Sequence, residues 1–309
     1  MKVIALLPFK NEEWILPTYL SNVLPIVDGI IALDDDSIDN SRAIMEKAGA
    51  KVYPLKRMSK GEYGGSITPR NDLLNLGRKA GATHFVMLDA DETFTSQFKS
   101  QARQLMLAMN PSETLTMQWL ALWKSWDNYR ADDSVWSNNY KDFIFCDDGH
   151  SIHDWNKGSL HSIGRTPRVD NQTTKKINPD IGAVLHYQFS NFNAFQLKQV
   201  WYRVKELSLW GLDKVKEINK TYSITMLDKK VKMKKAPSSW VEGIPLPLNS
   251  SNFDPEWKEE NFLHLWMFDD IMRLFDEFGV EYFEGLEIWH IPQLEQRFKE
   301  EVGRFPSLN

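Results

Sequence analysis

Apolar positions recur as short unbroken runs along the first third of the chain, each closed by a polar cluster. Residues 2–7 and 29–33 form two such runs, the length of buried strands rather than of helices, and residues 51–53 and 85–88 supply two more. Between them the period lengthens. Residues 14–23 read as an apolar helix and 42–48 as a helix that stops at Gly49; a third starts at Pro69 and places Leu73, Leu74, Leu76 and Ala80 before Gly81. Ser37 or Asp39 is placed to cap the second of these helices. Strand alternating with helix predicts an α/β fold, a mostly parallel sheet with helices on both faces.

From residue 114 the character changes. Residues 115–123 and 141–146 predict strands with polar loops between and after them, and 182–185 predict another that ends at His186. Phe192, Phe195, Val200, Val204, Leu207 and Trp210 fit one amphipathic helix. Charged helical sequence follows Lys214, is broken between Pro237 and Pro247, and resumes over 262–278 and 291–302. The expected division is therefore a first part over 1–112, a strand-containing second part over 113–190 that completes the same domain, and a helical extension over 191–309.

Two of the early strands end in acid. Residues 29–33 run into Asp34, Asp35, Asp36, Ser37, Ile38 and Asp39, and residues 85–88 into Asp89, Ala90, Asp91 and Glu92. In an open α/β sheet the crevice beyond the carboxyl ends of the strands is where ligands bind. Two carboxylates there can hold a hard divalent cation together with substrate phosphates. The same residues also fit a strand that simply stops at a polar turn.

Composition narrows the classes. The 309 residues, 42% hydrophobic and 26% charged, are those of a globular protein, and a net charge of −5 gives no electrostatic case for nucleic-acid binding. Cys146 is the only cysteine, which excludes an intrachain disulfide and a multi-thiolate zinc site, and suits a reducing cytoplasm. The apolar start of the chain is short for a signal peptide, and no run reaches the length of a membrane span.

Taken in order, four motifs resemble those of the family 2 glycosyltransferases of the GT-A fold. They are Pro8-Phe9-Lys10-Asn11-Glu12-Glu13 after the first strand, Asp34-Asp35-Asp36-Ser37-Ile38-Asp39 after the second, Arg70-Asn71 before a helix, and Asp89-Ala90-Asp91. The resemblance implies a metal-dependent, inverting transfer of a sugar from a nucleoside-diphosphate sugar, a UDP-sugar being favoured, to a hydroxyl of a glycan or lipid-linked acceptor. It implies donor binding by Pro8, Lys10, Asn11, Glu13, Asp35, Arg70 and Ala90, and a Mn²⁺ or Mg²⁺ ion held by Asp89 and Asp91. One departure is Asp36, where the family usually has glycine.

Physical reading agrees at several of these points. Asp35 at a strand tip can accept from a base donor, and Arg70 can give a bidentate phosphate contact. Metal-held carboxylates neutralise a leaving diphosphate as its charge develops. Many GT-A enzymes take a further metal ligand from a downstream histidine, which points to His186, and imidazole favours Mn²⁺ over Mg²⁺. By itself a histidine in such a place is more often a hydrogen-bonded core residue.

The acceptor side is less defined. A general base must take the acceptor's hydroxyl proton, and the family places it between the metal strand and the histidine. Ile152-His153-Asp154 resembles a Val-His-Glu-like triplet of some branches, and Leu160-His161-Ser162 does so less well; Asp154 is the first choice and Asp148 the second, although either also fits a solvated acidic loop. Trp126, Trp136 and Trp155 lie among polar residues and could form an acceptor platform, whereas Trp119 and Trp123 sit in an apolar run and read as core. Lys229, Lys230, Lys232, Lys234 and Lys235 form a basic cluster that suits a solvated helix face, a segment closing over the diphosphate, or peripheral contact with anionic lipid. Two other classes fit parts of the chain. A sugar-phosphate nucleotidylyltransferase should carry a glycine-rich loop after its first strand, which residues 8–13 lack, and a non-catalytic glycan-binding module leaves the four motifs unexplained.

Overall fold

The computed structural model describes residues 1–56, 67–154, 165–167, 173–223, 231–247 and 264–307. Among these, strands β1 (Val3–Phe9), β2 (Gly29–Asp34), β3 (Lys51–Pro54) and β4 (His84–Val86) alternate with helices α1 (Leu16–Val23), α2 (Ser41–Lys47) and α3 (Ile67–Lys79). There follow β5 (Glu92–Phe94), α4 (Ser96–Leu107), β6 (Thr114–Ala121), β7 (Asn128–Arg130), β8 (Tyr140–Cys146), β9 (Thr174–Lys176) and β10 (Val184–His186). The remainder comprises α5 (Phe192–Trp210), α6 (Val215–Thr221), β11 (Met233–Lys235), α7 (Leu265–Phe278) and α8 (Pro292–Val302).

The main sheet runs in the order β3-β2-β1-β4-β8-β6-β10-β5, with β9 beside the start of β6, while β11 and β7 form a separate ribbon. β1 to β4 are parallel, as the strand–helix alternation predicts. β8 then enters antiparallel to β4 and β6, which restores the direction of β4 in β6 and β10. The fold class is the α/β sheet, mainly parallel, that the sequence predicts, with a helical C-terminal extension.

Alternation along β1 explains the two layers. Val3, Ala5 and Leu7 turn to the face covered by α1, where Tyr19, Leu20 and Val23 complete a core that extends under β6 and β10. Ile4 and Leu6 turn to the other face and meet Leu73 and Leu74 of α3, with Phe85, Met87 and Phe145. The C-terminal helices gather a further core around Leu197, Val204, Ile271, Phe275 and Phe298. α5 belongs to both regions, since Phe192 and Phe195 in its first turn pack in the sheet's core and its later turns do not. Asn191 caps this helix by accepting from the Ala194 N–H at 3.0 Å.

Gly77 sets how closely α3 lies on the sheet. A Cβ there would overlap the ring of Phe85 and come within 3.3 Å of Leu6 Cδ2. The bare glycine lets α3 settle against β1 and β4, and Arg70, two turns earlier on the same helix, gains its reach across the strand ends. Gly77→Ala is expected to lower stability by about 1–3 kcal/mol through overpacking, read as a reduced melting temperature. A melting temperature unchanged from the parent protein would show that Phe85 yields freely.

Candidate active site

Strand direction decides what meets at one end of the sheet. β1, β2, β4 and β10 all deliver their carboxyl ends there, and α3, running back towards β4, brings its first turn to the same place. Beyond β4 the chain passes through Asp89, Ala90 and Asp91 and turns into β5, closed by a bond from the Glu92 N–H to the Asp89 carbonyl at 3.1 Å. β5 pairs antiparallel with β10 so that Glu92 stands opposite His186. Asp91 is thereby seated beside the histidine, and its carbonyl accepts from the Tyr187 N–H at 2.8 Å.

The carboxylates are compensated in different ways. Asp91 Oδ2 and His186 Nε2 are 3.1 Å apart. Burial would raise the Asp91 carboxyl, but the charge and hydrogen bond of His186, with Lys198 and Arg165, hold it well below the usual range. Asp89 Oδ2 accepts from Arg165 Nη2 at 2.6 Å, and Asp89 Oδ1 lies 3.5 Å from Arg70 Nη2. Glu92, fully buried, accepts from the Asp89 N–H at 2.9 Å through Oε2; its Oε1 receives both Trp119 Nε1–H and Arg165 Nη2 at 2.6 Å. Burial outweighs those partners, so its carboxyl is held above the usual range. The Trp119 ring stacks on His186 at 4.2 Å between centroids, and Lys141 Nζ stands 3.5 Å from the indole centroid. Burial and the nearby Arg165 push the Lys141 ammonium down to about 8. Lys198, on α5, feels the charges of Asp91, Glu12 and Asp89 and donates to Gln188 Oε1 at 3.2 Å.

Of the residues expected here, Asp91 is paired with His186 and Asp89 with Arg70 at the same end of the sheet. Arg165, Glu92, Lys141 and Lys198 join them without having been singled out as site residues. Glu92 was signalled as the third acid of the strand tip; the cations come from distant segments and carry no local signal. Trp119 is core, at 4% exposure, yet also a wall of the site.

On the other wall, Asp35 follows β2 with its N–H bonded to the Phe9 carbonyl at 2.9 Å, and its own carbonyl accepts from Lys10 Nζ at 2.9 Å. Pro8 faces Leu33 in the β1–β2 ladder. Asn11 and Glu13 bind the loop after β1 to the loop after β2: Asn11 Oδ1 accepts from the Ile38 N–H at 2.8 Å, and Glu13 Oε2 from the Asn40 N–H at 3.0 Å. Glu13 Oε2 also accepts from Asn40 Nδ2 at 2.8 Å, so both residues tie the two loops together and shape the wall. Asp36 has φ +56°, a left-handed conformation natural to glycine and tolerated by aspartate, which accounts for the exchange at this position.

The two carboxylates offered as base are separated. β8 is antiparallel to β4, so Cys146 pairs with His84 at the start of that strand, and Asp147 and Asp148 emerge at the opposite end of the sheet from Asp89. There Asp148 accepts from Ser112 Oγ and from the His150 and Ser151 N–H groups at 2.8–3.0 Å, as well as from Ser151 Oγ. Burial opposes these bonds, but together they hold its carboxyl well below the usual range. The chain then climbs along α3. Arg78 near the end of that helix binds Asp147 and the Ser151 carbonyl at 2.7 Å, and Asn71 in its first turn exchanges two bonds with the His153 backbone at 2.8 and 3.0 Å. Asp154, exposed, follows directly on the His153 backbone that Asn71 holds at the start of α3.

Trp126 and Trp136 are half-buried against the sheet's core, Trp136 edge-on to Phe189 at 6.2 Å. Lys232, Lys234 and Lys235 belong to the β11–β7 ribbon and its approach, a strand rather than a helix face. Trp155, residues 160–162, Lys229 and Lys230 lie outside the described residues. No described helix is long and apolar enough to cross a membrane. Among the described residues no group of three or more His, Cys, Asp or Glu side chains is gathered for a metal ion.

No family model matches the chain, and no curated protein sequence matches it. Solved structures overlap part of it. S. aureus TarS (1-349) in complex with UDP-GlcNAc is 22% identical over 38% of this chain and 35% of that one, with a TM-score of 0.30. Glucosyl-3-phosphoglycerate synthase from Mycobacterium tuberculosis, in complex with Mn²⁺, UDP and glucosyl-3-phosphoglycerate, is 19% identical over 39% of this chain and 44% of that one, with a TM-score of 0.28. The match spans less than half of each solved chain, and at this identity it assigns no activity.

Proposed function

We propose that the chain is a glycosyltransferase that moves a sugar, with inversion, from a nucleoside-diphosphate sugar to an acceptor hydroxyl. One observation carries the reading. Where Asp89 and Asp91 leave the sheet, four cationic side chains, Arg70, Lys141, Arg165 and Lys198, converge with His186 on three carboxylates. A diphosphate needs that density of positive charge, and a base and ribose need the wall formed by Pro8, Lys10 and Asp35.

The donor set suits a divalent ion in part. The 3.1 Å between Asp91 Oδ2 and His186 Nε2 is close to the separation of about 3 Å that neighbouring ligands keep around one small octahedral cation. Asp91 and His186, with Asp89 in place of its bond to Arg165, are the residues that would hold such an ion. Imidazole favours Mn²⁺ over Mg²⁺, and such an ion, when bound, supplies charge neutralisation to the departing diphosphate. Arg165, which also pairs with Glu92, would then stand beside the same phosphates. Asp154, held at the first turn of α3 by the Asn71–His153 pair, takes the acceptor's hydroxyl proton.

Calorimetry with UDP and Mn²⁺, followed by a hydrolysis screen of nucleotide sugars, tests the reading. UDP is expected to bind only with the metal present. Asp154→Asn should keep that binding and lose on the order of 10²–10⁴ in transfer rate, the usual contribution of a positioned base, whereas Asp148→Asn should transfer at the parental rate. Absence of UDP binding would end the proposal, and full activity in Asp154→Asn would remove that residue from it.

A further inference from the structure

α5 and the start of α7 cover the acidic end of the sheet on the side away from α3, and two polar groups there lack partners. His264 is 7% exposed, and its Nδ1 is buried without a hydrogen-bond partner among the described residues; Trp266 Nε1 is in the same position. The His264 ring lies edge-on to Trp14 at 5.9 Å, and Trp14 donates to Glu12 Oε2 at 2.8 Å. Lys198 and Asp91 are near enough for both charges to act on the imidazole. Lys10 Nζ is 5.4 Å from the Trp266 ring centroid and is the lysine that donates to the Asp35 carbonyl, so this corner is continuous with the nucleotide wall.

Buried N–H and ring-nitrogen groups in native proteins are nearly always paired, so an unpaired couple facing a charged site marks a place for a ligand. Resting on the glycosyltransferase reading, we propose that His264 and Trp266 form the acceptor's subsite, which takes a neutral, polyhydroxylated sugar ring. The two groups ask for different things. Trp266 Nε1 can only donate, whereas a neutral imidazole offers one donor and one acceptor. Burial, then the Lys198 charge, push the imidazole down to about 3, which keeps it neutral at pH 7. A hydroxyl both donates and accepts, and therefore satisfies either. An anionic acceptor would bring its charge towards Asp91, which Lys198 already serves. Indole rings of Trp14, Trp201 and Trp266 provide the apolar walls that suit a sugar's C–H faces.

Saturation-transfer NMR on the full chain with UDP and Mn²⁺, using methyl glucoside, galactoside, mannoside and N-acetylglucosaminide as probes, tests the subsite. At least one glycoside should give ring-proton signals that fall fivefold or more in Trp266→Ala and in His264→Ala, while UDP affinity changes by less than twofold. Trp266→Phe and His264→Gln, which preserve more of the packing, should weaken the signal in the same sense and carry the test if the alanine variants melt early. Silence from every glycoside in the parent protein overturns the inference. So does a loss of UDP affinity as large as the loss of glycoside signal, because the pair would then belong to the donor. A parent protein that binds a glycoside through this pair but does not bind UDP refutes the donor reading and leaves the sugar subsite standing.

Discussion

Asp91→Asn is expected to reduce sugar transfer by about a thousandfold or more, the scale of removing a principal electrostatic stabiliser from an active site, and to abolish the response to Mn²⁺. The carboxylate is paired with His186, and the residue's backbone carbonyl accepts from the Tyr187 N–H. The amide keeps the size and one oxygen, so the turn into β5 should survive and the melting temperature should stay close to the parental value. Its charge is lost, and with it the reason for a cation beside His186. Titration of Mn²⁺ against donor hydrolysis reads both effects. An Asp91→Asn protein that retains a parental Mn²⁺ response would place the ion elsewhere.

Arg165→Met should be the most destabilising single change at this site, costing about 3–5 kcal/mol, because it leaves buried carboxylates without their counter-charge. Nη2 of Arg165 serves Asp89 and Glu92 together, at 2.6 Å from each. The sign of the pH effect follows. Glu92 already has a folded-state carboxyl above its ordinary value and Asp89 one below it, and loss of the guanidinium moves both upward. A carboxyl raised in the folded state favours folding as it protonates. The variant should therefore regain stability as pH falls from 8 towards about 5, the interval above the ordinary carboxylate range. Mn²⁺ should also raise its melting temperature by more than it raises the parent's, since a divalent ion supplies the missing charge. Thermal melts at several pH values, with and without Mn²⁺, check this; equal pH slopes for the two proteins would contradict it.

Much of the site was legible because it is local. An apolar run of strand length that stops in Asp89-Ala90-Asp91 states both the strand and its tip, and the run before His186 does the same. The antiparallel β5 was missed, since three residues next to an acidic turn carry no strand period of their own. Trp119 was read as core from its apolar neighbours, and it is; only its indole N–H, aimed at Glu92, reveals the second role. The basic stretch before Pro237 looked like a helix face because lysines carry little information about period, whereas pairing with β7 draws it into a ribbon.

By itself the sequence determined the strand–helix alternation, the two acid-tipped strands, Arg70 at a helix start and His186 at a strand end, because each depends on contacts within one turn or one strand. The tertiary structure decided which charges neutralise which. Arg165, Lys141 and Lys198 reach the carboxylates from segments some 50 to 110 residues away, a distance over which no periodicity speaks. It also separated Asp148 from Asp154, six residues apart in one acidic stretch. The reversed direction of β8 puts the first at the opposite end of the sheet from Asp89, and the Asn71–His153 bonds hold the residue before the second at the start of α3. Strand direction is settled by how whole layers pack, and no residue of that stretch encodes it.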